Sequence, residues 1–78
     1  MFFVYILKSD KDYIYIGQTK DLEDRLIRHN SNRSKYTKNK GPFRIIYKEV
    51  FKTRTEAMKR EKELKSGKDR EWLKNNVI

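Results

Sequence analysis

An unbroken apolar run at residues 2–7, Phe-Phe-Val-Tyr-Ile-Leu, constrains the fold of this chain more than any other feature. The run is short and rich in aromatic and branched side chains, which favours a strand that is buried on both faces. It lacks the basic flank and the cleavage site of a signal peptide, and Lys8 ends it far short of a membrane span. We therefore expect a buried strand in a cytoplasmic protein that does not bind membranes.

A hairpin is predicted next. Residues 13–18 alternate, which places Tyr13, Tyr15 and Gly17 on one face of a second strand. A polar turn at 8–12 separates this segment from the first strand. The two strands are therefore expected to pair with each other.

The rest of the chain alternates between helix and strand signals. A first helix is predicted to begin at Thr19 or Asp21 and to end near Asn30. Its inner residues are expected to be Leu22, Leu26 and Ile27. The later predicted elements are a strand at Phe43–Phe51, a helix that begins at Thr53 and ends at 66–67, and a short helix at 68–76 anchored by Trp72 and Leu73.

The order β-β-α-β-α-α predicts an α+β fold, in which helices flank a small three-stranded antiparallel sheet. Seventy-eight residues are expected to form a single domain, 1–78, with a thin core. The chain contains no cysteine, which excludes a disulfide framework and a thiolate metal site.

One carboxylate of the second long helix occupies a position where an apolar residue is expected. Thr53 and Glu56 form a capping box that begins this helix, and Ala57, Glu61 and Leu64 then fall on one face. An ionised carboxylate on a stripe that faces the core is costly unless it meets a cation, a metal ion or several donors. Glu61 is therefore either part of an ion pair or held for chemistry.

Positive charge is concentrated in the middle of the chain. The net charge is +9, and no acidic residue falls between Asp24 and Glu49. This pattern favours nucleic acid as the partner, because phosphates supply affinity that does not depend on sequence. A solvated basic surface is the alternative. The residues predicted to bind nucleic acid are Arg28, Arg33, Lys35, Tyr36, Lys38 and Lys40.

Several other polar side chains are predicted to lie at or beside inward-facing positions. Tyr5 and Tyr15 can lie on the same face of the hairpin, and Gly17 leaves that face bare just beyond them. Arg25 and His29 are one turn apart on the first helix, beside its apolar stripe. Neutral core packing would have placed aliphatic residues at such positions.

This spaced set resembles the motifs of a known family. The tripeptides at 3–5 (Phe-Val-Tyr) and 15–17 (Tyr-Ile-Gly) are similar to the paired tripeptides that name the GIY-YIG nuclease family. Arg25 in the first helix and Glu61 in a later helix fit the same pattern, and the likeness covers essentially the whole chain. It is greatest to small single-domain members, in which a Lys-Tyr-Thr stretch (here 35–37) follows the first helix.

The resemblance implies an endonuclease that hydrolyses phosphodiester bonds in DNA with one divalent cation, Mg²⁺ or Mn²⁺, as in DNA repair or recombination. Tyr5 and Tyr15 would position or deprotonate the attacking water, with His29 as a proton carrier or orienting group. Arg25 would bind the scissile phosphate, to which its fork of donors is suited. Glu61 would hold the metal ion, whose other ligands would be water and phosphate oxygen.

The chain departs from the family pattern in two places. Phe3 stands where the first tripeptide has Gly, and Gln18 replaces a Lys found in excision-repair relatives, so any acid–base role of that Lys is absent. Asn75 and Asn76 are the candidates for a late Asn found in some members. We expect no second DNA-binding domain, so selectivity would depend on a protein partner. The sequence does not indicate the oligomeric state.

Each of these residues also has a purely structural interpretation. Tyr5 and Tyr15 can be core aromatics, Arg25 and Glu61 a structural ion pair, and His29 a helix C-terminal cap. The alternative to the nuclease is a nucleic-acid-binding module of the same fold that cleaves little, or only with a partner. An interaction scaffold unrelated to nucleic acid would bind DNA weakly and without salt dependence.

Overall fold

The structure is a computed structural model that describes residues 1–31, 40–66 and 75. Three strands and two helices make up this described part. In chain order they are β1 (Phe2–Ser9), β2 (Ile14–Thr19), α1 (Leu22–Asn30), β3 (Phe43–Phe51) and α2 (Arg54–Lys65). The predicted α+β class is confirmed. The last helix, predicted at 68–76, lies outside the described residues apart from Asn75.

The sheet is antiparallel with the strand order β2-β1-β3, so β1 is its central strand. The register places Tyr5 opposite Gly17 and Leu7 opposite Tyr15, which puts these residues on one face of the sheet. The register of β1 with β3 shifts by one residue between Ile6, which lies opposite Tyr47, and Leu7, which lies opposite Ile45. The predicted hairpin of the first two strands is confirmed.

The first strand extends two residues beyond its apolar run, through Lys8 to Ser9. Ser9 is 1% exposed, and its backbone N–H donates to the Tyr13 carbonyl at 2.9 Å. Its Oγ accepts from the backbone N–H groups of Lys11 and Tyr13, both at 3.1 Å. Asp12 completes the turn with a φ of 67°, a left-handed conformation that Asp tolerates.

The two helices cover opposite faces of the sheet. On one face, Ala57 and Leu64 of α2 pack against Val4 and Ile6 of β1. On the other face, α1 packs on a cluster centred on Tyr5. The members of this cluster are Tyr5, Leu7, Phe43, Tyr15, Leu22, Leu26 and Ile45. The central strand is therefore buried on both faces, as its continuous apolar run predicted.

Both described helices begin at side-chain caps. The Asp21 carboxylate accepts from the Asp24 backbone N–H at 3.0 Å, so Asp21 rather than Thr19 is the cap of α1. In α2 the Thr53 hydroxyl oxygen accepts from the Glu56 N–H at 3.2 Å. The Glu56 carboxylate accepts from the Thr53 hydroxyl at 2.9 Å, a variant of the predicted capping box. In the described ranges, neither helix is long and apolar enough to cross a membrane.

The prediction that Ile27 is an inner residue of α1 is wrong, because its side chain is 61% exposed. Leu22, Leu26 and His29 fall on one side of the helix at about 100° per residue, and Ile27 points well away from them. The buried position belongs to His29 instead.

Candidate active site

The phenols of Tyr5 and Tyr15 meet over Gly17. A Cβ atom on Gly17 would lie 2.6 Å from the Tyr5 hydroxyl oxygen and 2.9 Å from a ring carbon of Tyr15. The two rings therefore occupy the space that any larger residue would need at this position. Because Gly17 is on the edge strand β2, the Tyr5 side chain reaches from the centre of the sheet toward that edge.

His29 is enclosed by aromatic side chains at the end of α1. It is 1% exposed, and its Nε2 lies 3.2 Å from the Tyr5 hydroxyl, in a hydrogen bond whose donor depends on the imidazole tautomer. Its ring centroid is 4.5 Å from that of Tyr15 and 6.3 Å from that of Phe43. At the helix end, the Ser31 hydroxyl donates to the Ile27 carbonyl at 2.7 Å, the type of bond expected of a C-terminal cap.

Burial shifts the pKa values of both members of the Tyr5–His29 pair. Burial raises the pKa of the Tyr5 phenol well above its usual value; nearby Tyr15 and Glu61 add to the rise, while Arg25 opposes it. Burial, and then the positive charge of Arg25, lower the pKa of His29. At neutral pH the pair therefore consists of a protonated phenol and a neutral imidazole.

Arg25 and Glu61 belong to helices on opposite faces of the sheet, and both influence the Tyr5 phenol. Arg25 is on α1 and Glu61 is on α2, and both act electrostatically on the pKa of Tyr5. Arg25 is half-buried as a residue, and its guanidinium makes no hydrogen bond or ion pair with residues 1–31 or 40–66. A phosphate oxygen in this region would therefore meet a guanidinium whose donors are not already engaged by those ranges.

Glu61 lies on the inner stripe of α2 that the sequence predicted. Its neighbours on this stripe, Ala57 and Leu64, are buried, whereas the Glu61 side chain is 21% exposed. Within the described residues, its ion-pair partner is Lys65, whose Nζ lies 2.6 Å from Oε2, rather than Arg25. The carboxylate thus meets a cation, as its position on the stripe requires.

The donor set at Glu61 fits a hard divalent cation. The carboxylate is partly exposed and supplies oxygen ligands, the kind that Mg²⁺ and Mn²⁺ prefer. Among the residues that the structure describes, no three or more His, Cys, Asp or Glu side chains form a cluster that could hold a metal ion. A cation at Glu61 would therefore take most of its ligands from water and substrate.

Only two of the residues predicted to bind nucleic acid fall in the described ranges. Arg28 is exposed and pairs with Asp24 at 3.0 Å. Lys40 places its Nζ 5.2 Å from the centroid of the Tyr13 ring, beside the hairpin turn. The residues of this set that lie outside the described ranges are Arg33, Lys35, Tyr36 and Lys38.

Asn30 joins α1 to β3 through a pair of hydrogen bonds that the sequence did not predict. Its Oδ1 accepts from the Phe43 N–H at 2.6 Å, and its Nδ2 donates to the Phe43 carbonyl at 3.0 Å. The preceding residue is His29, so this clamp holds the end of the helix that carries the imidazole. An Asn near a helix end is a common terminating residue, so its position in the sequence does not indicate which residue it binds.

A second polar link fixes α2 against β3. The Arg60 Nε donates to both Glu49 oxygens, at 2.9 and 3.1 Å. The Tyr47 hydroxyl donates to Glu49 Oε2 at 2.5 Å. Arg60 precedes Glu61, so this link restrains the rotation of α2 beside the carboxylate of interest. Tyr47, which lies within the basic stretch of the sequence, thus has an acidic partner.

Comparison with known proteins gives a consistent result. The family model of the GIY-YIG catalytic domain matches residues 1–75. A UPF0213 protein of Staphylococcus saprophyticus is 41% identical over 73 residues, which cover 92% of this chain and 89% of the relative. A UPF0213 protein of Staphylococcus aureus is 42% identical over 65 residues, covering 82% of this chain and 79% of the relative.

A solved structure shares the fold. The solution NMR structure of a UPF0213 protein from Bacillus halodurans is 37% identical in sequence, with a TM-score of 0.57. The match covers 96% of this chain and 84% of that one. The family model spans nearly the whole chain, and the relatives and the solved structure agree with it. This protein therefore belongs to the GIY-YIG nuclease family, and the resemblance to its small single-domain members is confirmed.

Proposed function

We propose that this protein is a divalent-metal-dependent endonuclease that hydrolyses phosphodiester bonds in DNA, and that residues 1–78 form one catalytic domain. The observation that carries this proposal is the surroundings of the Tyr5 phenol. It lies against Gly17 at the sheet edge, where the charges of Arg25 and Glu61 both act on it. A cationic group for a phosphate and an anionic group for a metal ion thus lie near one phenol pair.

The aromatic groups have different roles in this proposal. Tyr5 is buried and its pKa is raised, so it remains protonated and orients its neighbours by hydrogen bonding. Tyr15 is the half-buried phenol and positions the attacking water. His29 is neutral at pH 7 because its pKa is lowered, so it can accept a proton passed through Tyr5.

The charged groups bind the reacting phosphate and its counter-ion. The Arg25 guanidinium holds the scissile phosphate and stabilises the negative charge that develops on it. Glu61 holds Mg²⁺ or Mn²⁺. When bound, such an ion shields the phosphate and makes water a better nucleophile. Gly17 has a structural role, because its missing side chain is what allows the phenols to lie at the sheet edge.

The DNA-binding surface proposed from the sequence extends beyond these residues. Its members are Arg28, Arg33, Lys35, Tyr36, Lys38 and Lys40. Their positive charges would bind phosphates without reading sequence. We further propose that a protein partner supplies selectivity, in a cytoplasmic role in DNA repair or recombination.

Nicking of supercoiled plasmid DNA tests the proposal. We expect nicking by the wild-type protein with Mg²⁺ or Mn²⁺ and none with EDTA. The Glu61→Ala and Arg25→Ala variants should lower the rate by about 100-fold or more, because each removes a charge used in the transition state. Arg25→Lys should recover only part of the loss, since Lys keeps the charge without the fork.

Glu63→Ala is the matched control for Glu61→Ala. Glu63 is on the same helix, and its side chain is 46% exposed. Removing the Glu63 carboxylate should change the nicking rate less than threefold. The melting temperature of every variant, measured by circular dichroism, shows whether it is folded. DNA binding without any metal-dependent cleavage would overturn the nuclease proposal in favour of the binding module.

A further inference from the structure

We propose that Lys65 is an internal counter-ion that competes with the divalent metal for Glu61, and so sets the metal concentration that the site requires. This inference rests on the proposed function, because it presumes that Glu61 binds a metal ion. The inference assigns Lys65 a role at the metal site, although Lys65 does not bind the metal ion. Lys65 acts by occupying the carboxylate while the metal is absent.

The geometry of the pair supports this role. Lys65 Nζ lies 2.6 Å from Glu61 Oε2, and the residues are four positions apart on α2. Glu precedes Lys, which is the favourable order on a helix. The contact occupies one carboxylate oxygen, and within residues 1–31 and 40–66 the other, Oε1, has no hydrogen-bond partner.

The position of Glu61 explains why it needs a counter-ion. It lies on a stripe whose other members, Ala57 and Leu64, are buried against the sheet. A carboxylate in such a place must be neutralised by a cation or by several donors. The metal ion fills this need in the loaded site, and Lys65 fills it in the empty one.

The exposure of Lys65 makes the contact easy to displace. Its side chain is 53% exposed, so the ammonium group can move into water when a divalent cation arrives. Exposed pairs with this spacing contribute little to stability. A doubly charged ion can therefore replace the ammonium group at Glu61. Because the two cations compete, the metal concentration needed to occupy the site is higher than it would be without Lys65.

Metal titration of the full chain tests the inference. Mn²⁺ binding is measured by calorimetry and by the loss of the free-ion EPR signal, without DNA, for the wild type and Lys65→Met. We expect the Kd for Mn²⁺ to fall about threefold to fivefold in Lys65→Met, because the competing charge is gone. Lys65→Arg should stay within about twofold of the wild type, since it retains a competing cation.

Lys62→Met is the matched control, because it makes the same charge change on the same helix at an exposed position. Its Kd should change less than twofold, as expected of a screened surface charge. Equal effects of Lys62→Met and Lys65→Met, or weaker Mn²⁺ binding by Lys65→Met, would overturn the role of Lys65. If Glu61→Gln leaves Mn²⁺ binding intact, or if the wild type binds none, the proposed metal site itself fails and this inference fails with it.

Discussion

The candidate site depends on the absence of one side chain. Gly17 is opposite Tyr5 in the hairpin, and the Tyr5 hydroxyl fills the space over it. That hydroxyl also forms a hydrogen bond with His29, so both a packing contact and a hydrogen bond restrain the phenol. The position of the phenol is therefore determined by Gly17 on one side and by the imidazole on the other.

We expect Gly17→Ala to displace the Tyr5 phenol. The new Cβ would lie 2.6 Å from its oxygen and 2.8 Å from its ring carbon, which requires a rigid, packed ring to move. The free energy of unfolding should fall by about 1–3 kcal/mol, as for overpacking in a core, and nicking should be lost. Urea unfolding and the plasmid assay measure the two effects.

Gly41→Ala is the control for this substitution. A Cβ on Gly41 would come no closer than 3.4 Å to its neighbours, which is ordinary van der Waals contact. We expect the free energy of unfolding to change by less than about 1 kcal/mol. Similar losses of stability and activity in both variants would contradict the assignment of a special role to Gly17.

At the scale of the elements, two polar links between helix and strand hold the site together. Asn30 binds the backbone of Phe43, and Arg60 binds the carboxylate of Glu49. The first link fixes the end of α1 that carries His29, and the second fixes α2 next to Glu61. Because the two helices lie on opposite faces of the sheet, both must be fixed to β3 independently.

We expect Asn30→Ala to loosen the end of α1. It leaves the N–H and carbonyl of Phe43 without their side-chain partners, which should lower the free energy of unfolding by about 1–3 kcal/mol. Asn30→Asp is the informative comparison, because it keeps the acceptor for the Phe43 N–H and removes the donor to the carbonyl. The free energy of unfolding, measured with urea at pH 7, should fall less in Asn30→Asp than in Asn30→Ala. An Asn30→Asp loss as large as that of Asn30→Ala would contradict a clamp that works through Oδ1.

At the scale of the whole molecule, a small core makes each buried polar group important. The described core is two thin clusters, one on each face of the central strand. Small domains bury a modest fraction of their surface and have little stability to spare. The protonation of the buried His29 should therefore be visible in the stability of the entire fold.

We expect stability to fall as the pH drops below about 6.5, the usual pKa of histidine. Burial lowers the pKa of folded His29, so the unfolded chain binds its proton first and gains free energy from it. The slope should reach at most about 1.4 kcal/mol per pH unit between 6.5 and the folded pKa, and vanish above 6.5. Urea unfolding at pH 5–8 measures it.

His29 is the only histidine in the chain, so the source of this slope can be identified. His29→Gln should flatten the profile above pH 5.5, whatever its effect on stability at pH 7. An unchanged slope in this variant would show that other groups carry the pH dependence.

Much of the architecture could be predicted from the sequence. The bounds of the third strand, the cap of α2 and the hairpin pairing follow from local patterns, and the structure agrees with each. The burial of Ala57 and Leu64 on one stripe with Glu61 also follows from helical spacing. Ile27 was mispredicted because an apolar side chain alone does not indicate burial: at about 100° per residue it points well away from Leu22 and Leu26, and it is exposed.

The sequence by itself determined the order of the elements, the buried central strand and the residues that resemble the family motifs, because these depend on local propensity and periodicity. Tertiary structure decided which partners those residues meet. It placed His29 against Tyr5, Lys65 rather than Arg25 beside Glu61, and the two helices on opposite faces. Contacts between residues far apart in the chain depend on how the helices rotate and pack on the sheet, which local patterns do not specify.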